Sequence, residues 1–184
     1  MRVVAGTCRG RRLQAPPGTT TRPTSDRARE SVFNSLRSLD PEAPRTVLDL
    51  FAGSGAMGIE ALSRGAQRAV FVESDRVAAT TIRTNLEACG FSTVAEVVVG
   101  PVERFLAGSI VVFDLVIADP PYGFDEWPEL ASSIRGRTLV AESDRAIELG
   151  TGWEFLRQRA HGGTVVTIAS AIGREPADPQ ERLQ

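Results

Sequence analysis

Residues 46–58 read Thr-Val-Leu-Asp-Leu-Phe-Ala-Gly-Ser-Gly-Ala-Met-Gly. An apolar run of strand character ends in a cluster of glycines. Beyond them a helical pattern begins, with Met57, Ile59, Ala61 and Leu62 apolar. A strand that feeds a helix through a glycine turn is a unit of an alternating α/β chain, in which parallel strands are covered by helices on both faces. Glycines let the backbone pass close to a ligand, and the first turn of a helix presents amides without intrahelical partners.

The rhythm continues downstream. Apolar spacing predicts a helix over 55–64, a strand over 69–73, and a helix over 75–89 capped by Ser74 or Asp75 and closed by Gly90. A strand over 94–99, a short helix over 102–107 and a strand over 111–118 follow. Beyond them come a helix over 126–134 and strands over 138–142, 153–157 and 164–169. Gly162-Gly163 makes a tight turn between the last two strands, so an antiparallel pair is expected at the sheet edge. Upstream, 2–5 and 11–13 form a small hairpin across residues 6–10. Thr24, Ser25 and Asp26 are candidate caps for a helix that places Ala28, Val32, Phe33, Leu36 and Leu39 on one face, with Arg27 and Arg29 off it. The chain divides into a basic hairpin-and-helix extension (1–40), the α/β body (41–170) and a polar tail (171–184).

At 184 residues, 42% hydrophobic and 24% charged, the chain is sized for one globular domain with a small appendage and buries a core without disulfides. Cys8 and Cys89 have no metal-ligand spacing, no metal is expected, and a reducing cytoplasm is the default. The opening residues lack the apolar stretch of a signal peptide, and no segment reaches membrane-spanning length. The net charge of −2 conceals a segregation. Residues 1–37 hold eight arginines against Asp26 and Glu30, a net +6 that leaves −8 for the remainder. A basic arm on an acidic body fits a polyanion docking at one end, with Arg9, Arg11, Arg12, Arg22, Arg27 and Arg29 as candidate contacts. Solvated charge, or pairing of Arg22, Arg27 and Arg29 with Glu30 and body carboxylates, is the plainer alternative.

The chemistry concentrates at strand ends. Gly53-Ser54-Gly55-Ala56-Met57-Gly58 satisfies the dinucleotide pattern G-x-G-x-x-G, with Glu73 at a suitable distance. Asp49, just before the glycines, would repel a pyrophosphate and attract a cationic amino-acid ligand such as S-adenosylmethionine. Taken alone, Asp49 serves equally well as a helix-capping acid. With Glu73 and Asp119 at further strand ends, the ligand reading uses all three. Asp119-Pro120-Pro121-Tyr122 closes the 111–118 strand. Proline cannot continue a ladder, and its missing N–H leaves carbonyls without local partners. A carboxylate, carbonyls and an aromatic face suit a planar base carrying an exocyclic amine. The single histidine, His161, beside Gly162-Gly163, is a turn residue rather than a general base.

These stretches resemble the class I S-adenosylmethionine-dependent methyltransferases that modify exocyclic amines. Residues 22–34 (Arg-Pro-Thr-Ser-Asp-Arg-Ala-Arg-Glu-Ser-Val-Phe-Asn) are similar to the N-terminal signature of the RsmD family. So are Arg2-Val3-Val4-Ala5-Gly6 and Arg9-Gly10-Arg11-Arg12-Leu13, and the resemblance covers roughly residues 1–170. That family methylates N2 of one guanine in 16S ribosomal RNA. The resemblance implies a Rossmann-like, seven-stranded, mostly parallel sheet of order 3-2-1-4-5-7-6 with the last strand antiparallel. It implies a cofactor site at Asp49, Phe51, Ala52, Gly53, Ser54, Gly55, Glu73, Ser74 and Val102. Asp49, Gly53 and Gly55 would hold the methionine part and Glu73 the ribose, with S-adenosylhomocysteine as product. Asp119, Pro120, Pro121 and Tyr122 would hold the target base. A cytoplasmic monomer acting on 16S RNA in an assembling or assembled small subunit is expected. Where many relatives carry an acid or amide for the adenine, this chain has Gly100-Pro101-Val102, so backbone amides and Val102 are expected there. A DNA adenine-N6 methyltransferase, a nucleotide-binding dehydrogenase and a non-catalytic RNA-binding module are the rival expectations.

Overall fold

The computed structural model describes residues 1–17 and 25–173. Its elements are α1 (Asp26–Leu39), β1 (Thr46–Leu50), α2 (Ala56–Ser63), β2 (Arg68–Glu73), α3 (Arg76–Cys89), β3 (Ala95–Val99), α4 (Val102–Gly108), β4 (Phe113–Ala118), α5 (Trp127–Ser133), β5 (Gly136–Ser143), β6 (Trp153–His161) and β7 (Thr164–Ala171). The strands form one sheet of order β3-β2-β1-β4-β5-β7-β6. Parallel ladders join β3 through β5, and β7 is antiparallel to both β5 and β6. The expected α/β class, strand order and antiparallel edge pair are all present. The order reverses between β1 and β4, where an open α/β sheet leaves a crevice at the strands' carboxyl ends.

Two apolar layers explain the unbroken hydrophobic runs. Val47, Phe71, Leu115, Ile117 and Val140 pack with α1, α2 and α3, whereas Leu48, Leu50, Val72, Val116 and Leu139 pack with α4 and α5. A strand covered on both faces needs apolar residues at successive positions rather than alternate ones. Helix ends follow local chemistry. Ser25 caps α1 by accepting from the Ala28 amide at 3.1 Å. Asp75 caps α3 by accepting from the amides of Val77 and Ala78, and Gly90 closes it in the left-handed conformation.

Some expectations are corrected. β4 starts at Phe113 rather than 111, because Val111 and Val112 stand about half exposed ahead of the ladder. β6 runs on to His161, with a register shift between Phe155 and Arg157. On α1 the buried face comprises Ala28, Arg29, Val32, Phe33 and Ser35, and Leu39 at the helix end is exposed. The expected N-terminal hairpin is narrow. A single antiparallel bridge joins Arg2 and Arg12, supported by Val3 N–H to Arg11 O (3.0 Å) and Leu13 N–H to Met1 O (3.1 Å).

The hairpin lies on α2, with Val3 and Leu13 in the same apolar layer as α1, α2 and α3. Gly6 takes φ +83°, and a Cβ there would sit 1.7 Å from the Ser63 carbonyl oxygen, so only glycine fits. Glu60, in the middle of α2 and fully enclosed, joins the pieces. Its carboxylate accepts from the amides of Val4 (2.8 Å) and Ala5 (3.0 Å) and from Arg64 Nε (2.7 Å). Arg29 Nε approaches it at 3.8 Å. Removing one partner of a buried ion pair leaves an uncompensated charge. Glu60→Ala is therefore expected to cost about 3–5 kcal/mol. Arg64→Ala should cost clearly less, since Glu60 keeps both amide donors; urea unfolding of the two variants measures the difference.

Candidate active site

The carboxyl ends of β1, β2, β4 and β5 open into a cleft of about 540 Å³, within the range of small-molecule sites. On one side stands the glycine turn after β1. Phe51 takes φ +55°, a left-handed conformation unusual for a side chain of this size, and Gly53 and Gly55 also take positive φ. The turn is held by Ala52 N–H to Val72 O (3.1 Å) and Gly55 N–H to Ala52 O (2.7 Å). Glu73 ties it to the neighbouring turn. One carboxylate oxygen accepts from Gly53 N–H at 2.7 Å and the other from Asp75 N–H at 2.8 Å. Asp49 is only 2% exposed and accepts from Gly58 N–H at 2.8 Å, in the first turn of α2, whose N-cap Gly55 offers no side-chain acceptor. The capping role open to an isolated acid is thus real here, and Asp49 also lines the cleft.

On the other side stands the turn after β4. The ladder pairs Leu50 with Ala118, so Phe51 and Asp119 leave neighbouring strands side by side. Asp119, Pro121 and Tyr122 are exposed to the cleft, with Tyr122 62% exposed, and Pro120 is buried. The two sides are linked by aromatic edges. Phe51 meets Phe124 at 5.9 Å between ring centroids, and Phe124 meets Trp127 at 5.4 Å. Ser54, Ser74 and Val102 also line the cleft. Gly100 N–H is committed to Glu73 O at 3.0 Å and Pro101 has none, so the 100–101 step offers no amide to an adenine.

The family model described as conserved hypothetical protein 95 matches residues 1–170. The chain belongs to this family, the RsmD family of methyltransferases. Ribosomal RNA small subunit methyltransferase D of Haemophilus influenzae is 32% identical over 174 residues, covering 88% of this chain and 89% of that protein. The Escherichia coli protein of the same name is 40% identical over 122 residues, spanning 66% of this chain and 60% of that one. A solved Escherichia coli structure, provisionally named methyltransferase yhhF, superposes with TM-score 0.82 at 30% identity, covering 95% of this chain and 99% of that one.

In this RsmD-family protein the basic arm borders the cleft at Met1 and at residues 15–17, while its hairpin tip runs away from it. The hairpin tip bonds the far end of α2 (Thr7 N–H to Ser63 O, 2.8 Å; Cys8 N–H to Ser63 Oγ, 2.9 Å). An eight-residue helix is ~12 Å long, so Arg9 and Arg11 stand about that far below the cleft rim. Arg9, Arg11, Arg12 and Arg27 are exposed. Arg22 lies outside the described residues. Arg29 is corrected. It is 0% exposed, donates to Asp26 (2.7 Å) and to Arg2 O (2.7 Å), and faces Glu60, so it is a buried structural cation and no phosphate contact. Helical spacing alone could not place Arg29, because its burial depends on carboxylates supplied by another helix and its own cap region. Phe124, Glu142 and Thr164 line the cleft and were missed. For Glu142 the signal was present, an acid ending a strand as Glu73 does; for Thr164 there was none.

Burial pushes the Asp49 carboxyl up to about 7; the Gly58 amide opposes this and the neighbouring Glu73 charge adds to it. A folded-state value above the ordinary 3.8 means the native protein holds a proton the unfolded chain has released. Stability therefore falls as pH rises from about 4 through 7. Asp49→Asn keeps an acceptor for Gly58 N–H without the charge. It is expected to raise the urea midpoint above wild type at pH 8 and to leave it nearly unchanged at pH 4.

Proposed function

We propose that this methyltransferase moves a methyl group from S-adenosylmethionine to the exocyclic N2 of a guanine in small-subunit ribosomal RNA. The observation that carries this reading is one cleft shared by two turns, the glycine turn after β1 and the Asp119–Tyr122 turn after β4, on adjacent strands. The relatives named ribosomal RNA small subunit methyltransferase D support the RNA substrate. A ribosomal RNA substrate goes with a cytoplasmic location, and no described helix is long and apolar enough to cross a membrane.

The donor set fits this cofactor. Asp49 and Glu73 place two carboxyl groups beside the glycine turn, where a ligand ammonium and ribose hydroxyls find acceptors, and a cation held there would favour ionised Asp49. Val102, 4% exposed, and Phe51 supply apolar walls for the adenine. When bound, S-adenosylmethionine supplies a sulfonium methyl group: a C–N bond forms as the C–S bond breaks, its electron pair returns to sulfur, and the nitrogen loses one proton.

The chain's own residues orient the nucleophile. The lone pair of a guanine N2 is delocalised into the ring. With Asp119 and the Pro120 carbonyl accepting its two hydrogens, that lone pair turns toward the glycine side. Holding reactants in line is worth up to ~7–11 kcal/mol. Asp119 also stabilises positive charge developing on the nitrogen and takes up or relays the released proton. Tyr122 gives a face for the base to stack on, and the target guanine must be unstacked or already in a loop to reach it. Arg9, Arg11, Arg12 and Arg27 would hold phosphates beyond the cleft, with Arg22 as a further candidate.

Labelled methyl transfer to small subunits from a strain lacking the modification, followed by nucleoside mapping, tests the function. N2-methylguanine is the expected product, and any other product, or none, overturns the proposal. Asp119→Ala should abolish transfer while S-adenosylmethionine affinity stays within about threefold, since the carboxylate acts on the base. Triple replacement of Arg9, Arg11 and Arg12 should flatten the salt dependence of RNA binding by about 2 in log–log slope, as about 0.7 is lost per contact to single strands.

A further inference from the structure

Glu142 is the second acid at the base side of the cleft. The ladder pairs Ile117 with Val140 and Ala118 with Ala141. Continued one step, that register sets Asp119 beside Glu142. Ile117 and Val140 belong to the apolar layer of α1, α2 and α3, and side chains alternate along a strand. Asp119 and Glu142, two positions on, therefore project to that same side, about 4.8 Å apart along the sheet. Both line the cleft, and so does Thr164 at the start of β7. Glu142 remains in the sheet, paired with Val166 of β7, so its position is set by a ladder rather than by a loop.

Two carboxylates on neighbouring strands discriminate between exocyclic amines. Adenine N6 and cytosine N4 are each flanked on the pairing edge by a ring nitrogen that accepts. Guanine N2 is flanked there by N1–H, which donates. A carboxylate beside the amine holder therefore attracts guanine and repels the lone pair of the other two.

Resting on the methyl-transfer reading above, we propose that Glu142 accepts the N1–H of the target guanine while Asp119 holds its N2 amine, making Glu142 the residue that specifies guanine. A site built to hydrogen-bond a substrate N–H rejects an analogue lacking it far more strongly than a merely apolar pocket does.

The test uses the full chain and a target RNA with guanine or 2-aminopurine at the modified position. 2-Aminopurine keeps the N2 amine but presents an acceptor at N1. It also lacks O6, a loss common to wild type and variant that cancels in their comparison. Wild type should favour guanine by about 100-fold in kcat/KM. Glu142→Gln, whose amide can donate, should lose about 30-fold on guanine and bring the two bases within about threefold of each other. S-adenosylmethionine affinity within about twofold of wild type reports an intact fold. Equal rates on both bases by wild type overturn the proposal without any variant. So does an equal loss on both bases by Glu142→Gln, the signature of a structural role, or no loss at all. Wild type that methylates guanine at an atom other than N2 overturns the parent reading, a result distinguishable from all of these.

Discussion

The carboxylate of Glu73 holds the cleft in shape. It ends β2 on the side facing α1, α2 and α3 and spends one oxygen on the Gly53 amide and the other on the Asp75 amide. Two turns that leave separate strands are thereby fixed relative to each other, and the caps of α2 and α3 are set by the same group. Hydrogen bonds to an ionised acceptor are among the stronger ones available. The glycine turn needs that support, because Phe51 sits in left-handed backbone that a residue with a side chain does not hold unaided.

Acids gather along one sheet edge as a consequence. Asp49, Glu73, Asp119 and Glu142 stand at or next to the ends of four strands that are neighbours in space, each separated from the next in sequence by at least one helix. Burial and Glu73 together keep Asp49 from ionising freely. Such an edge is unfavourable when empty and favourable to a cation. It is a poor place for a pyrophosphate, which separates this cleft from the dinucleotide sites that share its glycine pattern. The opposite use of charge occurs at Glu60. There a buried carboxylate is fully engaged by amides and arginines and fastens the basic N-terminal hairpin to the body.

The class and both cleft-forming turns could be read from the chain because each rests on local rules, whereas the strand order came only from the family resemblance. Apolar runs mark covered strands, glycines mark turns, and prolines end ladders. Element ends were less certain by a few residues, as at Phe113 and His161, since ladder pairing decides them. Arg29 was misplaced for a different reason. Its charge argued for solvent, and the acids that neutralise it come from positions 26 and 60. Arg9 and Arg11, expected as RNA contacts, are exposed, and the path of the hairpin down α2 takes them away from the cleft.

The amino-acid sequence alone determined that a doubly covered parallel sheet forms and that Asp49, Glu73 and Asp119 stand at strand ends, because strand, turn and helix periodicities are properties of short segments. Only the tertiary structure decided that Glu142 stands next to Asp119 and that Arg29 lies inside. Side-by-side placement depends on the register between strands 20 or more residues apart, and burial of a charge depends on which distant group arrives to neutralise it; neither is written in any local stretch of chain.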